Sequence, residues 1–578
     1  MPHTPTQSTL PVPCFEGGSN RGIKLVDGVA HVSGQSSTSP IDNVLLAAWD
    51  VSAWLDAPIL ADGYQMLCQW QGSLRAPVAV SRCADNDADY RRYPAEQTRF
   101  YNYLLIELEP DNSYWLVGFA DCHQFNGYFE CRHDSQLVAV VETESLCLEP
   151  DQTAVLPTLV SLQADSITAV FGKFSTIIQS RHGTPKIQQS VKGWCSWYHY
   201  YEHITTDIIA DNAKQLAQQW TEADLVLIDD GYQRAMGDWL IPSNKFAGGV
   251  EQAIDAITST GCRPGIWLAP FIAQLDSQLY KEHPDWFVHH ADGSPLLADS
   301  VTYGGWRCTP WLLLDTSQDA PCEFLQHTVD TMKQQWGIAL FKLDALYWGA
   351  LDVPRAHPMT SVQAYRRGLA AIKRGAGDAC VLGCNAPMWP SLGLVDAMRT
   401  SDDIHRHQHR FNQLHLENAG RSWQHRALWL LDQDCLTLEN LNTEFQQQSA
   451  RPEAYEFHAS SILAHGGNLI LGDAMNCLSA SSTLKVSQLL ARLACTEQVV
   501  DYQSLAFDRA SLILDDNTTL FFAFHTNAEV SKTFNFQTNY DVDWFDFWQG
   551  IALADQCQAL QVEVAPNQAR VVVAKRRL

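Results

Sequence analysis

Leu225-Val226-Leu227-Ile228-Asp229-Asp230-Gly231 decides the fold: four apolar residues that read as a short buried strand, closed by two carboxylates and a glycine. Upstream, Ile209, Ala213, Leu216 and Trp220 recur at helical spacing. Downstream, Val250, Ile254 and Ile257 do the same before a stop at Gly261, and a second apolar run follows at Arg263–Phe271. The same rhythm of strand, loop and helix holds from about residue 190 onward. Its further strands are Lys192–Tyr200, Leu340–Leu346, Cys380–Ala386, Asp396–Ile404, Ala427–Gln433 and Asn468–Asp473, with Pro452 starting a helix between the last two. That makes eight strands, the number a parallel (β/α)8 TIM barrel needs. An open doubly wound sheet is the alternative, but no G-x-G-x-x-G follows the first strand.

The flanks have a different period. The first ~180 residues read as β: Arg99–Pro110, Tyr114–Ala120 and Gln136–Glu142 are aromatic and β-branched runs separated by turns such as Asp111-Asn112-Ser113. His182-Gly183-Thr184-Pro185 breaks the chain. After about residue 500 the β pattern returns, with Ser511–Leu514 and Thr519–Phe524 flanking a hairpin turn and Thr533–Gln537 and Arg570–Val573 continuing it. The expected architecture is a multidomain α/β protein. An N-terminal β-sandwich domain (1–182) precedes the barrel (190–498), and a small all-β domain (499–578) follows.

The chain has 578 residues, with 39 Lys and Arg against 65 Asp and Glu, for a formal charge of −26. Such an acidic surface repels polyanions, which argues against nucleic acid and acidic membranes as partners. No two of the 16 cysteines form a C-x-x-C pair, and Cys380 and Cys384 have no second pair to complete a zinc site. No metal or cofactor is expected. The opening MPHTPTQSTLPVPCFEGG has neither a basic n-region nor an apolar h-region, and no apolar run reaches membrane-spanning length. The expectation is a soluble cytoplasmic protein with reduced thiols. Nineteen Trp, 18 Tyr and 23 Phe offer faces that suit neutral ring-shaped ligands.

In such a barrel the active site lies at the C-terminal ends of the strands. Here those ends carry carboxylates: Asp229 and Asp230, Asp344, Asp402 and Asp403, Asp432 and Asp434, and Asp473. Asp434 and Asp473 read as turn or capping residues. Asp344 stands two residues from Lys342, and strand alternation points both into the barrel mouth. A neighbouring ammonium would keep Asp344 ionised, as a nucleophile requires, and an internal salt bridge is the lesser alternative for the pair. The Arg399–Asp403 segment offers a second carboxyl. Two facing carboxyls are the minimum equipment for glycoside hydrolysis, and no G-x-S-x-G elbow competes. His405, His407 and His409 alternate in a polar loop, where they read as solvated or wall-lining side chains rather than metal ligands.

Six motifs in order carry a resemblance: Gly193-Trp194-Cys195-Ser196-Trp197-Tyr198, Ile228-Asp229-Asp230-Gly231-Tyr232, Gly265-Ile266-Trp267-Leu268-Ala269-Pro270, His283-Pro284-Asp285-Trp286, Phe341-Lys342-Leu343-Asp344 and Arg399-Thr400-Ser401-Asp402-Asp403. Together they resemble the α-galactosidases (melibiases) of glycoside hydrolase family 36, most closely the shorter bacterial members. The resemblance implies a retaining exo-α-galactosidase that needs no cofactor or metal, and the lack of an export signal points to small soluble α-galactosyl oligosaccharides as its substrates. Asp344 then matches the nucleophile and Lys342 a substrate ligand beside it. Asp403, four residues after Arg399, matches the acid/base, with Asp402 its rival, and Arg399 itself matches a sugar contact. Asp229 and Asp230 match the pair that holds the C4 and C6 hydroxyls. Trp194, Trp197 and Trp267 match aromatic walls, and Cys384 matches the cysteine on the C2 side. Trp70 is a candidate to reach over the barrel mouth.

The mechanism so implied places the two carboxyls ~5–5.5 Å apart and sets the Asp403 pKa above that of Asp344. Larger family members carry C-S-G-G-G where this chain has Gly383-Cys384-Asn385-Ala386-Pro387, and Ser401-Asp402-Asp403 also looks like the raffinose-synthase branch. An α-galactosyl transferase and an α-N-acetylgalactosaminidase with the same catalytic pair therefore stay open, as does a carbohydrate-binding protein on an inactive barrel. Trp348 and Trp423 are candidates for an acceptor subsite. Oligomeric state is left open, a homo-oligomer included.

Overall fold

The computed structural model describes residues 23–26, 29–33, 43–108, 113–132, 135–148, 152–186, 189–493, 499–526 and 529–577. The opening stretch up to Gly18, with Cys14, and the Asp111-Asn112 turn lie outside them.

The eight strands read from the sequence form one parallel sheet. They are β1 (Lys192–Cys195), β2 (Leu225–Ile228), β3 (Arg263–Leu268), β4 (Leu340–Leu343), β5 (Cys380–Gly383), β6 (Ala397–Arg399), β7 (Leu430–Asp432) and β8 (Leu469–Leu471). Each pairs with the next in sequence from β1 to β7, and β8 returns to lie beside β1. The Asn468 N–H donates to the Leu431 carbonyl at 2.8 Å across the remaining seam, so the sheet is nearly closed into a barrel.

Every strand is shorter than its apolar run. Trp197–Tyr200 is a helical turn, and Leu346–Ala350 is a buried 3-10 turn after β4. The loops at the C-terminal ends are themselves buried, so their apolar character continues the strand pattern past the last ladder bond.

Nine antiparallel strands between Val44 and Ala164 make up the N-terminal sheet, and six between Asp501 and Lys575 make up the C-terminal one. The expected hairpin is there, Arg509–Asp515 pairing with Thr518–His525. One correction concerns Ile167–His182, which is a 16-residue helix inside the stretch read as β. Ile167, Val170, Phe171, Phe174 and Ile178 bury one face of it, a helical spacing hidden among β-branched residues.

Many contacts hold the N-terminal sheet on the barrel, and two of them bear on the site. Arg421, fully buried at the end of the helix Gln408–Arg421, pairs with the equally buried Asp62 at 2.6 Å. The same guanidinium donates to the carbonyls of Met66, Cys68 and Thr400, the last lying just beyond β6. The second contact is the loop 81–92. Arg91 donates to the carbonyls of Asp299 and Thr302, and Tyr90 packs edge-on against Tyr347 with centroids 5.0 Å apart.

Candidate active site

These contacts enclose a cavity of about 440 Å³ over the C-terminal strand ends. Asp229, Asp230, Trp197, Trp267, Lys342, Asp344 and Asp403 all line it. The carboxylates of three non-adjacent strand ends thus meet in one space, as the topology requires.

Asp344 follows β4 directly, and its N–H still belongs to the ladder, donating to the Leu268 carbonyl at 2.7 Å. The chain then turns at Ala345, whose φ of +51° is in the left-handed region. That turn brings the Ala345 N–H to Asp344 Oδ1 at 2.7 Å. Asn385 Nδ2 donates to the same oxygen at 2.8 Å, and Trp267 Nε1 donates to Oδ2 at 3.1 Å. Three neutral donors therefore orient a carboxylate that faces the cavity. Asn385 was not foreseen; it sits at φ +43° in the loop after β5.

Lys342 corrects the sequence-based pairing. Its ammonium lies 2.7 Å from Asp229 Oδ2, reaching over β3 to the end of β2, and its ion pair is with Asp229, not Asp344. Burial pulls the lysine pKa down, but Asp229 together with Cys195, Cys384 and Asp344 outweighs it and holds the ammonium well above its ordinary value. Cys195 Sγ adds a weak donor to the same oxygen at 3.3 Å. Asp230 is gripped on both oxygens by Arg307, with Gln233 Nε2 at 2.6 Å. Burial raises its pKa against the pull of that guanidinium. Arg307 sits in the long loop between β3 and β4, and no motif singled it out.

At the end of β6 the two adjacent carboxylates have opposite exposures. The Asp402 side chain is 1% exposed and locked by Arg82 and Arg410, while the Asp403 side chain is 53% exposed and faces the cavity. Arg399 lies below, its Nη2 bridging Asp403 Oδ1 at 2.7 Å and Asp434 Oδ2 at 2.8 Å. What burial Asp403 has works to raise its pKa. Arg399 and then Lys342 outweigh this and hold it below the usual carboxylate range. The guanidinium in contact with Asp403 thus works against the raised pKa that a proton donor needs.

Asp434, read as a turn residue, belongs to this network. It accepts from Arg399, from Tyr198 Oη at 2.5 Å and from the Ile404 N–H at 2.7 Å, and burial pushes its carboxyl up. Asp473 keeps its bland reading: it pairs with Arg406 and caps the Leu438 and Glu439 N–H groups.

Several expected contacts fall outside the cavity wall. Trp194 is completely buried and donates to the Asp473 carbonyl at 2.8 Å. Arg399 and Cys384 lie beneath the floor, with Arg399 Nη1 3.6 Å from the thiol. Trp70 packs in the N-terminal core against Phe100, so the reach over the mouth comes instead from Leu67, Arg82, Cys83, Asp89 and Tyr90. Of the two candidate acceptor tryptophans, Trp348 lines the cavity, whereas Trp423 stacks on Phe171 at 4.3 Å under the N-terminal helix. The three histidines diverge: His405 lines the wall, His407 caps its helix by accepting the His409 N–H, and His409 lies in that helix. Among the described residues no group of three or more His, Cys, Asp or Glu is gathered as a metal ion would need. Nor is any helix there long and apolar enough to cross a membrane.

Residues 165–352 match the Melibiase family model. Over 108 residues the chain is 32% identical to the bifunctional α-galactosidase/sucrose kinase AgaSK of Mediterraneibacter gnavus, a match covering 18% of this chain and 11% of that one. The fold is that of TtGalA, an α-galactosidase from Thermus thermophilus solved with p-nitrophenyl α-D-galactopyranoside, at a TM-score of 0.60 and 20% identity over 87% of this chain and 97% of that one. It is likewise that of the family 36 α-galactosidase AgaA from Geobacillus stearothermophilus, at a TM-score of 0.63 and 13% identity over 94% and 79% of the two chains. The curated relatives are matched over a quarter of their own length or less. The chain is thus similar to α-galactosidases in sequence over residues 165–352 and in fold over most of its length.

Proposed function

We propose that this protein is a retaining exo-α-galactosidase that removes terminal α-galactosyl groups from small oligosaccharides. The observation that carries the reading is the pairing of two unlike carboxyls in one cavity. Asp344 is fixed by neutral donors at a strand end, and Asp403 is half-exposed on the neighbouring wall. Asp344 attacks the anomeric carbon while Asp403 gives its proton to the leaving oxygen, and a β-linked galactosyl-enzyme forms. Asp403 then takes a proton from water, and the water oxygen displaces Asp344 to release galactose in the α configuration. Asp229 and Asp230, held by Lys342 and Arg307, supply acceptors for sugar hydroxyls. Trp197 and Trp267 supply apolar faces. We further propose that the chain divides near residues 182–190 and 498–499 into the three domains expected from its sequence.

Initial rates on chromogenic α-galactoside, α-N-acetylgalactosaminide and α-glucoside test the proposal. Fast release from the α-galactoside alone, with α-galactose as the first-formed anomer, supports it. Preference for the N-acetylated sugar would replace galactose by N-acetylgalactosamine. No release from any of the three, but transfer to a sugar acceptor, would mean a transferase.

A further inference from the structure

Asp402 is the buried neighbour of the acid/base, and the question is what it is for. Its Oδ1 accepts two hydrogen bonds, from the Asp403 N–H at 2.7 Å and from Arg82 Nη2 at 3.1 Å. Its Oδ2 takes Arg82 Nε at 3.1 Å, Arg410 Nη1 and Gln413 Nε2 at 3.3 Å. Its own N–H donates to Glu417 Oε2 at 2.7 Å. Arg410, Gln413 and Glu417 all lie on the helix Gln408–Arg421 that follows β6. Arg82 alone of these partners comes from the N-terminal sheets, 320 residues away in sequence.

The fork of Arg82 closes on both Asp402 oxygens while its side chain stays 54% exposed and lines the cavity with Asp403. Arg410 also pairs with the buried Asp402, so the half-exposed Arg82 is not the sole counter-ion of that carboxylate. A planar two-point grip does define an orientation, which a single point charge does not. The oxygen that Arg82 Nη2 holds is the one that fixes the Asp403 backbone. The chain of contacts therefore runs from the N-terminal loop to the main chain of the proton donor. Among the described residues, Arg399 holds the carboxyl of that donor from below.

We propose that Arg82 is a positioning residue for the acid/base: gripping Asp402, it sets the main chain of Asp403 so that its carboxyl meets the oxygen of the departing group. The inference rests on Asp403 being the acid/base. It makes the N-terminal sheets a working part of the site, with a specific effect on acid catalysis.

Leaving-group dependence separates this from a structural role, because a dinitrophenolate departs without a proton and a sugar alkoxide does not. The variants are Arg82→Met, Arg82→Lys, Asp402→Asn and Asp403→Ala. Each is assayed on a dinitrophenyl α-galactoside and on an α-galactosyl disaccharide, with thermal midpoints measured alongside. Arg82→Met is expected to lose about tenfold to a hundredfold in kcat/KM on the disaccharide, the cost of a misplaced catalytic group, and to keep its kcat/KM on the dinitrophenyl substrate, a ratio that ends at departure of the leaving group. Arg82→Lys should recover part of the loss. The Arg82→Met and Asp402→Asn losses should not add, since both break one chain of contacts.

Equal losses on both substrates, or none on either, would overturn the inference. So would additive losses, which would mean that Arg82 touches the leaving group directly. If Arg82→Met does not fold, the substrate split in Arg82→Lys decides. Asp403→Ala is the control for the underlying reading. If it shows the split and Arg82→Met does not, only the positioning role falls; if it shows none, the acid/base assignment falls with it.

Discussion

Lys342 Nζ lies 2.7 Å from Asp229 Oδ2. The pair joins the ends of β2 and β4 across the floor of the cavity, and both side chains are nearly inaccessible. A buried carboxylate that loses its counter-ion is costly to leave in place. Lys342→Met should therefore cost about 3 kcal/mol of stability or more, measured by urea unfolding. Adding Asp229→Asn should restore most of that stability and none of the activity. Undiminished stability of the single variant would mean that Asp229 finds another partner.

For Asp344 the expected outcome is chemical. Asp344→Ala should show no measurable turnover of a nitrophenyl α-galactoside. Azide, small enough to enter where the carboxylate was, should restore release and leave β-galactosyl azide, identified by NMR. Near-normal hydrolysis without azide would remove the assignment.

The pH profile follows from the contact between Asp403 and Arg399. The acid form is the catalytic one, and Arg399 and Lys342 hold its pKa low. The protonated fraction, and kcat/KM with it, falls as pH rises through that lowered pKa. On an unactivated oligosaccharide kcat/KM should thus decline from a maximum on the acid side. A maximum above pH 7 would point to another proton donor.

Asp85, in the loop that carries Arg82, gives a stability test. It is completely buried beside the Tyr64 N–H, and burial pushes its carboxyl up to about 6 from an ordinary 3.8. Between those values the folded protein keeps a proton that the unfolded chain has released. Its contribution is thus full below the lower value and is lost as pH rises to the upper one. Asp85→Asn should flatten that part of the curve of unfolding free energy against pH, and an unchanged slope would assign it to other groups.

Arg421 and Asp62 are both fully buried. Asp62→Ala leaves the guanidinium its carbonyl partners but no counter-ion, at an expected cost of about 3–5 kcal/mol. A loss below 1 kcal/mol in denaturant unfolding would show that those carbonyls suffice.

The barrel was legible because each strand is built on a short, mainly apolar run, as at Leu225–Ile228, and eight such runs can be counted. The ends of those runs were not, since burial under the N-terminal sheets keeps the following loops apolar, as at Leu346–Ala350. Alternation along one strand placed Lys342 and Asp344 on the same wall. It could not say which carboxylate the lysine would choose, because Asp229 comes from a strand 113 residues earlier. Asp434 looked like a turn residue for the same reason: what gives it a role is Arg399 and Tyr198, both remote in sequence. Arg82 and Arg307 lie in irregular loops with no periodicity to read, and only the folded chain shows where their charges end up.

The single guanidinium of Arg421, shared between Asp62, two carbonyls of the N-terminal sheet and the carbonyl of Thr400, bears on how this gene can change. A barrel transplanted to a foreign N-terminal partner would arrive with that cation already inside it. Only a partner bringing an equivalent of Asp62 could receive it. Recombination at the chain break near residue 183 is therefore constrained from more than two hundred residues downstream, and the two segments are expected to be inherited together.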